Sequence, residues 1–210
     1  MIIRYLLDRS FTDTIMNMKT ILIFLLLSIY ISLAHGQKSK TILSAPDNWN
    51  SEIIPFPLGF APEIDFVGFE DIRFAPGRSD STSIEFWTYH FTWFIDKVGP
   101  MTEDLLSETL TTYYDGLMKA VEGQSDDLVN DGLRNKPVCL FIKTDEGITG
   151  KMKVKETFFT KDYITLNVKV KQSICQESNK LLISFDISPR GFDDKVWGLF
   201  ESVQVTGKCE

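Results

Sequence analysis

The chain has 210 residues, a formal net charge of −7 at pH 7, 22 lysines and arginines against 29 acids, three cysteines and two histidines. An acid excess of this size repels phosphate backbones, which argues against nucleic acid as a partner. Three cysteines cannot build a four-cysteine zinc site, and so few histidines exclude a histidine-rich one.

Residues 21–34 form an uncharged apolar run, with Lys19 just before it and Ala34-His35-Gly36 just after it. A basic flank, a short apolar core and small residues ahead of a cut at Gln37 are the parts of a signal peptide. The run is shorter than the roughly 20 apolar residues a spanning helix needs. Residues 1–36 are therefore read as a leader. Arg4, Asp8, Arg9 and Asp13 are unusual in one, whereas a start at Met16 or Met18 gives an ordinary basic leader. The expected product, 37–210, is secreted or periplasmic, has no membrane span, and suits one domain.

Residues 37–63 are punctuated by Pro46, Pro55, Pro57 and Pro62. Each proline fixes φ and removes a donor, so the expectation is an irregular strap laid over the domain. Residues 64–75 and 84–95 read as two strands joined by the loop Pro76–Ser83. In the second, Trp87, Tyr89, Phe91, Trp93 and Ile95 fall on one face, while Phe86, Thr88, His90, Thr92 and Phe94 fall on the other. Thr102, with Glu103 and Asp104 behind it, starts a helix. Leu106, Leu110, Tyr113, Tyr114, Leu117, Met118 and Val121 continue it at helical spacing, and Gly123 ends it. Residues 124–136 are a polar loop.

Four strands follow, at 137–145, 148–159, 163–175 and 181–188, the last three alternating apolar and polar positions. Residues 193–202 offer a short helix and 203–205 a last strand. The whole is α+β: an antiparallel β-meander of about six to seven strands with one main helix packed on it and one face of the sheet wet.

No nucleophile elbow, P-loop, dinucleotide fingerprint or EF-hand loop is present. His90, alone after the leader, is the catalytic candidate, with Glu70 or Asp71 of the preceding strand as its carboxylate. Trp87, Tyr89 and Trp93, with Arg73, are the ligand-binding candidates, although aromatics equally fill ordinary cores. Lys151, Lys153, Lys155, Lys169 and Lys171 form a basic stripe that keeps an open sheet face in solution. Cys139 sits in an apolar run and reads as buried, which leaves Cys175 and Cys209 as the favoured disulfide. No cofactor or metal is called for. Three functions compete: an exported module binding a small molecule or a protein, a small secreted hydrolase or isomerase working through His90, and a purely structural envelope or extracellular component.

Overall fold

The computed structural model describes residues 41–122, 136–145, 147–175 and 178–206. The expected leader, the polar loop after the main helix, Gly123 and Cys209 lie outside them. Within them the chain runs β1 (Leu43–Ser44), β2 (Asn50–Pro55), β3 (Gly68–Phe74), β4 (Tyr89–Ile95), α1 (Glu103–Glu122), β5 (Val138–Thr144), β6 (Gly147–Lys155), β7 (Tyr163–Cys175), β8 (Lys180–Ser188), the 3-10 helix η1 (Lys195–Ser202) and β9 (Gln204–Val205). Seven strands form one sheet in the order β2-β3-β4-β8-β7-β6-β5, and β1 pairs with β9 in a small second sheet. All pairings are antiparallel. The architecture is α+β, with one main helix on an antiparallel sheet. No helix among the described residues is long and apolar enough to cross a membrane.

The helix begins as its sequence dictates. The Thr102 hydroxyl accepts the Leu105 N–H at 3.2 Å, and acids occupy the first turn. Leu106, Leu110, Tyr113, Tyr114 and Met118 are buried on one side, which is the stripe the spacing predicts. That stripe covers the sheet's inner face, where Phe91 stacks on Phe185 with ring centroids 4.4 Å apart. Gly116 lets the helix approach the chain at Phe60, since a Cβ there would lie 2.0 Å from the Phe60 carbonyl oxygen.

Two expectations are corrected. The strap is not irregular throughout: residues 50–55 pair with β3 as an edge strand, which tolerates Pro55 at its end because an edge leaves donors unpaired anyway. The strand expected from residue 84 starts at Tyr89 instead. Residues 84–87 are turns, and Trp87 takes φ +53°. That conformation is uncommon for a bulky side chain. The Trp87 N–H donates to the Arg78 carbonyl at 3.0 Å, and Arg190 braces the same loop through the Ser83 and Ile84 carbonyls.

The outer face of the sheet is divided. Over β4 and β8 it is covered by a second apolar cluster that includes Ile42, Leu43, Trp49, Val196, Trp197 and Phe200. Over β5 it is open, with Val138, Leu140 and Ile142 exposed. The β6–β7 register puts Lys151, Lys153, Lys155, Lys169 and Lys171 on this one face. Lys155 pairs with Glu122 at 3.2 Å, Lys169 lies over the Trp197 ring and Lys153 over Tyr163. Cys139 is free and buried, and Cys175 is disulfide-bonded.

Candidate functional site

Strand register decides which candidates can meet. Arg73 stands opposite His90, Asp71 opposite Thr92 and Glu70 opposite Trp93. Because side chains alternate along a strand, His90, Arg73 and Asp71 share the outer face, and Glu70 points inward with Trp93. A His90–Glu70 pair is therefore not assembled. Asp71 faces the right way, but its carboxylate is already occupied: it pairs with Arg73 and accepts the Thr41 hydroxyl at 2.7 Å, the Ile42 N–H at 2.8 Å and the Leu43 N–H at 3.1 Å.

The carboxylate that meets His90 is Asp186, on β8. Its Oδ1 lies 2.7 Å from His90 Nδ1. His90 Nε2 lies 2.9 Å from the Thr92 hydroxyl, which in turn lies 2.8 Å from the Ser184 hydroxyl. The order carboxylate, imidazole, hydroxyl resembles a catalytic relay, but both ring nitrogens are engaged and all four side chains are buried. The arrangement does structural work, tying the adjacent strands β4 and β8 through polar groups that burial would otherwise penalise. His90→Ala should lower stability by about 1–3 kcal/mol, the usual cost of orphaning a buried partner; a denaturant titration in which it matches wild type would contradict that role.

The inner face holds the concave feature. A cavity of about 450 Å3 opens between the β2–β3–β4 edge of the sheet and the C-terminal half of α1. Ile54, Ile72 and Phe74 form its floor, Phe60, Tyr113 and Leu117 its helix side, and Trp87, Tyr89 and Phe158 its far wall. Glu52 and Val121, both exposed, mark the rim. Phe158 is delivered by the β6–β7 loop, whose backbone is gathered by the Glu156 carboxylate, accepting the Phe159 N–H at 2.7 Å and the Thr160 N–H at 2.5 Å. The size lies in the range of small-molecule sites, and the lining is chiefly apolar and aromatic with few polar groups, as such sites are.

Those polar groups divide into satisfied and unsatisfied. The hydroxyls of Tyr89 and Tyr114 bond to each other, and the Tyr113 hydroxyl donates to Glu70 Oε1 at 2.9 Å. Glu70 also accepts the Trp93 Nε1–H at 2.5 Å. Burial lifts the Glu70 carboxyl from its ordinary 4.5 to about 7 against the opposing pull of those two hydrogen bonds. Burial likewise raises Tyr89 and holds Tyr113 and Tyr114 well above the usual phenol range. Two donors are left over. Trp87 is 6% exposed, and its Nε1–H is buried with no acceptor among the described residues. The Arg78 guanidinium, half-buried over the Phe74 ring at 3.9 Å, has no ion-pair partner among the described residues.

Of the ligand-binding candidates, Trp87 and Tyr89 line the cavity. Trp93 does not: it is fully buried in the core, against Phe56 and Phe185. Arg73 lies on the opposite face, spent on Asp71 and on the Leu43 carbonyl at 2.7 Å. Arg78 is the arginine of the cavity. It sits in the loop Pro76–Ser83, where nothing in the sequence pattern separates it from a solvated charge. Among the described residues no group of three His, Cys, Asp or Glu side chains is placed to hold a metal ion.

Fold and site together define an α+β domain with an apolar cavity between an antiparallel sheet and its covering helix. In comparisons with protein-family models, with curated proteins and with solved structures, the chain matches none.

Proposed function

We propose that this chain is an exported, non-enzymatic binding domain that takes up a small, largely apolar molecule in the cavity beneath α1. One observation carries the reading: a cleft of about 450 Å3, walled by aromatic and aliphatic side chains, opens between the sheet and α1. Concave, chiefly apolar sites of this size are where small molecules bind. The reading is non-enzymatic because His90, Asp71 and Glu70 spend their polar atoms on internal hydrogen bonds. Export rests on the apolar run at 21–34 and the small residues ahead of Gln37.

A neutral environment-sensitive dye, N-phenylnaphthylamine, tests the cavity directly. Its emission should rise on mixing with the protein. Leu117→Trp, which fills the cavity from the helix side, should weaken that binding at least tenfold while the far-ultraviolet circular dichroism stays unchanged. Equal binding by the two proteins would place the dye elsewhere and defeat the reading. Export is checked separately, by mass spectrometry of the natural product, which should begin at Gln37.

A further inference from the structure

Binding an apolar body does not explain why this cavity is lined by Arg78, a half-buried arginine with no ion pair among the described residues. A buried indole N–H without an acceptor costs free energy, and native structures tolerate few such groups. Trp87 pays that cost in an uncommon backbone conformation, φ +53°, held by the hydrogen bond from its own N–H to the Arg78 carbonyl. The same bond ties together the two residues whose side chains are unsatisfied. A residue kept in a sparsely populated region at a cavity wall marks a place where surrounding structure enforces a geometry.

Arg78 presents the matching charge. Its guanidinium is confined by the Phe74 ring at 3.9 Å and the Phe159 ring at 5.9 Å, so its orientation is restricted by packing. It is partly stripped of water, and burial pulls its pKa below the ordinary value although a guanidinium stays charged at neutral pH. Glu52 also lines the cavity but makes no ion pair with it, and being exposed it remains solvated. Glu70, the other nearby acid, is shielded behind the Trp93 and Tyr113 hydrogen bonds. The Arg78 fork therefore has open positions for a planar, doubly accepting anion.

We infer that the cavity's ligand is an amphipathic monocarboxylate, whose apolar body lies between α1 and the β2–β3–β4 edge while its carboxylate pairs with Arg78. The inference rests on the cavity-binding reading above and adds the head group to it. A carboxylate fits the guanidinium fork, since both of its oxygens can accept from it. A neutral hydroxyl or ester would leave Arg78 with only the solvated, non-contacting Glu52 as a nearby negative charge.

Three ligands sharing one chain, dodecanoate, dodecanol and methyl dodecanoate, separate head group from body when titrated calorimetrically into the purified protein below their micellar concentrations. Dodecanoate should bind at least tenfold more tightly than the alcohol or the ester, because a hydrogen bond to a charged group outweighs a neutral one by about that much. Arg78→Gln should bring dodecanoate down to the affinity of the alcohol and leave the alcohol unchanged. Thermal melts of the variant with bound N-phenylnaphthylamine establish that the cavity survives the substitution. Equal affinities for acid and alcohol in wild type, or acid binding untouched by Arg78→Gln, would overturn the carboxylate inference while the apolar cavity stands. Dodecyl phosphate binding where dodecanoate does not would overturn it in favour of a phosphate head group. Failure of all the ligands and of the dye would take the cavity reading down as well.

Discussion

Asp71→Ala should cost about 3–5 kcal/mol of folding stability, the largest loss expected from any single polar substitution in this protein. The Arg73 and Asp71 side chains are 7% and 0% exposed, so removing one leaves the other charged, buried and alone. Asp71 Oδ2 is also the acceptor for three donors at residues 41–43, from Thr41, Ile42 and Leu43. Arg73 Nη2 completes the clamp by donating to the Thr41 hydroxyl at 2.5 Å and to the Leu43 carbonyl at 2.7 Å. The pair therefore fastens β1 to the back of the sheet, and β9 with it through the Leu43–Val205 register. Chemical denaturation measures the loss, and limited proteolysis should find new cuts near residues 41–44. A second substitution separates charge from shape. Removing both charges together, as Asp71→Leu with Arg73→Met, should recover part of the loss, because a buried pair replaced by apolar groups escapes the penalty of an orphaned ion. A loss under about 1 kcal/mol for Asp71→Ala would mean that the clamp is not what holds the ends.

Glu70→Gln should stabilise the protein at alkaline pH and flatten its pH profile. The carboxyl of Glu70 titrates near 7 in the folded protein, against an ordinary 4.5. Below pH 4.5 it is protonated in both states and contributes nothing to the pH dependence. Between 4.5 and 7 the unfolded chain has released the proton and the folded chain has kept it, so stability falls as pH rises. Above 7 the folded state holds a buried carboxylate, and the full cost remains, on the order of 3 kcal/mol at 1.36 kcal/mol per pH unit. Glutamine cannot ionise, yet it still offers an oxygen to Trp93 Nε1 or Tyr113. Melting temperatures taken from pH 4 to pH 9 should show wild type declining through that window relative to the variant. Parallel curves would exclude Glu70 as the source. Because Tyr113 lines the cavity and donates to Glu70, the same substitution also reports whether the cavity wall depends on the protonation of the carboxyl.

Much of the fold was legible in the order of residues. The helix announced itself through Thr102, the first-turn acids and the spacing of Leu106, Leu110 and Tyr113, all of which are local signals. Strands β7 and β8 could be read because alternation is a property of a single strand, and so could the two faces of β4. Edge strand β2 was hidden by its prolines, which mark a departure from central sheet equally well for an edge strand and for loose chain. The start of β4 was misjudged for a different reason. Trp87 keeps the parity of Tyr89 and Phe91 and is buried with them, although its backbone has left the strand.

The site was less legible, because it depends on relations between strands. Sequence alone placed Glu70 and Asp71 one residue apart near His90, and a one-residue slip in register exchanges which of them shares its face. The partner His90 uses, Asp186, lies in a strand that joins β4 only after the helix and three further strands have been laid down. Trp87 and Tyr89 could be named as cavity residues from their aromatic run. Arg78 could not, because a loop arginine becomes a binding group only once the rings of Phe74 and Phe159 enclose it.

The sequence by itself determined which segments become helix and strand, which side of each is apolar, and that Cys139 is buried, since these follow from short-range periodicity and from the removal of apolar surface from water. Only the tertiary structure decided that Arg73 is a structural clamp, that Arg78 is left with an open charge, and that Glu70 is sealed in the interior. Burial and charge pairing are set by neighbours distant in the chain, and no local pattern encodes them.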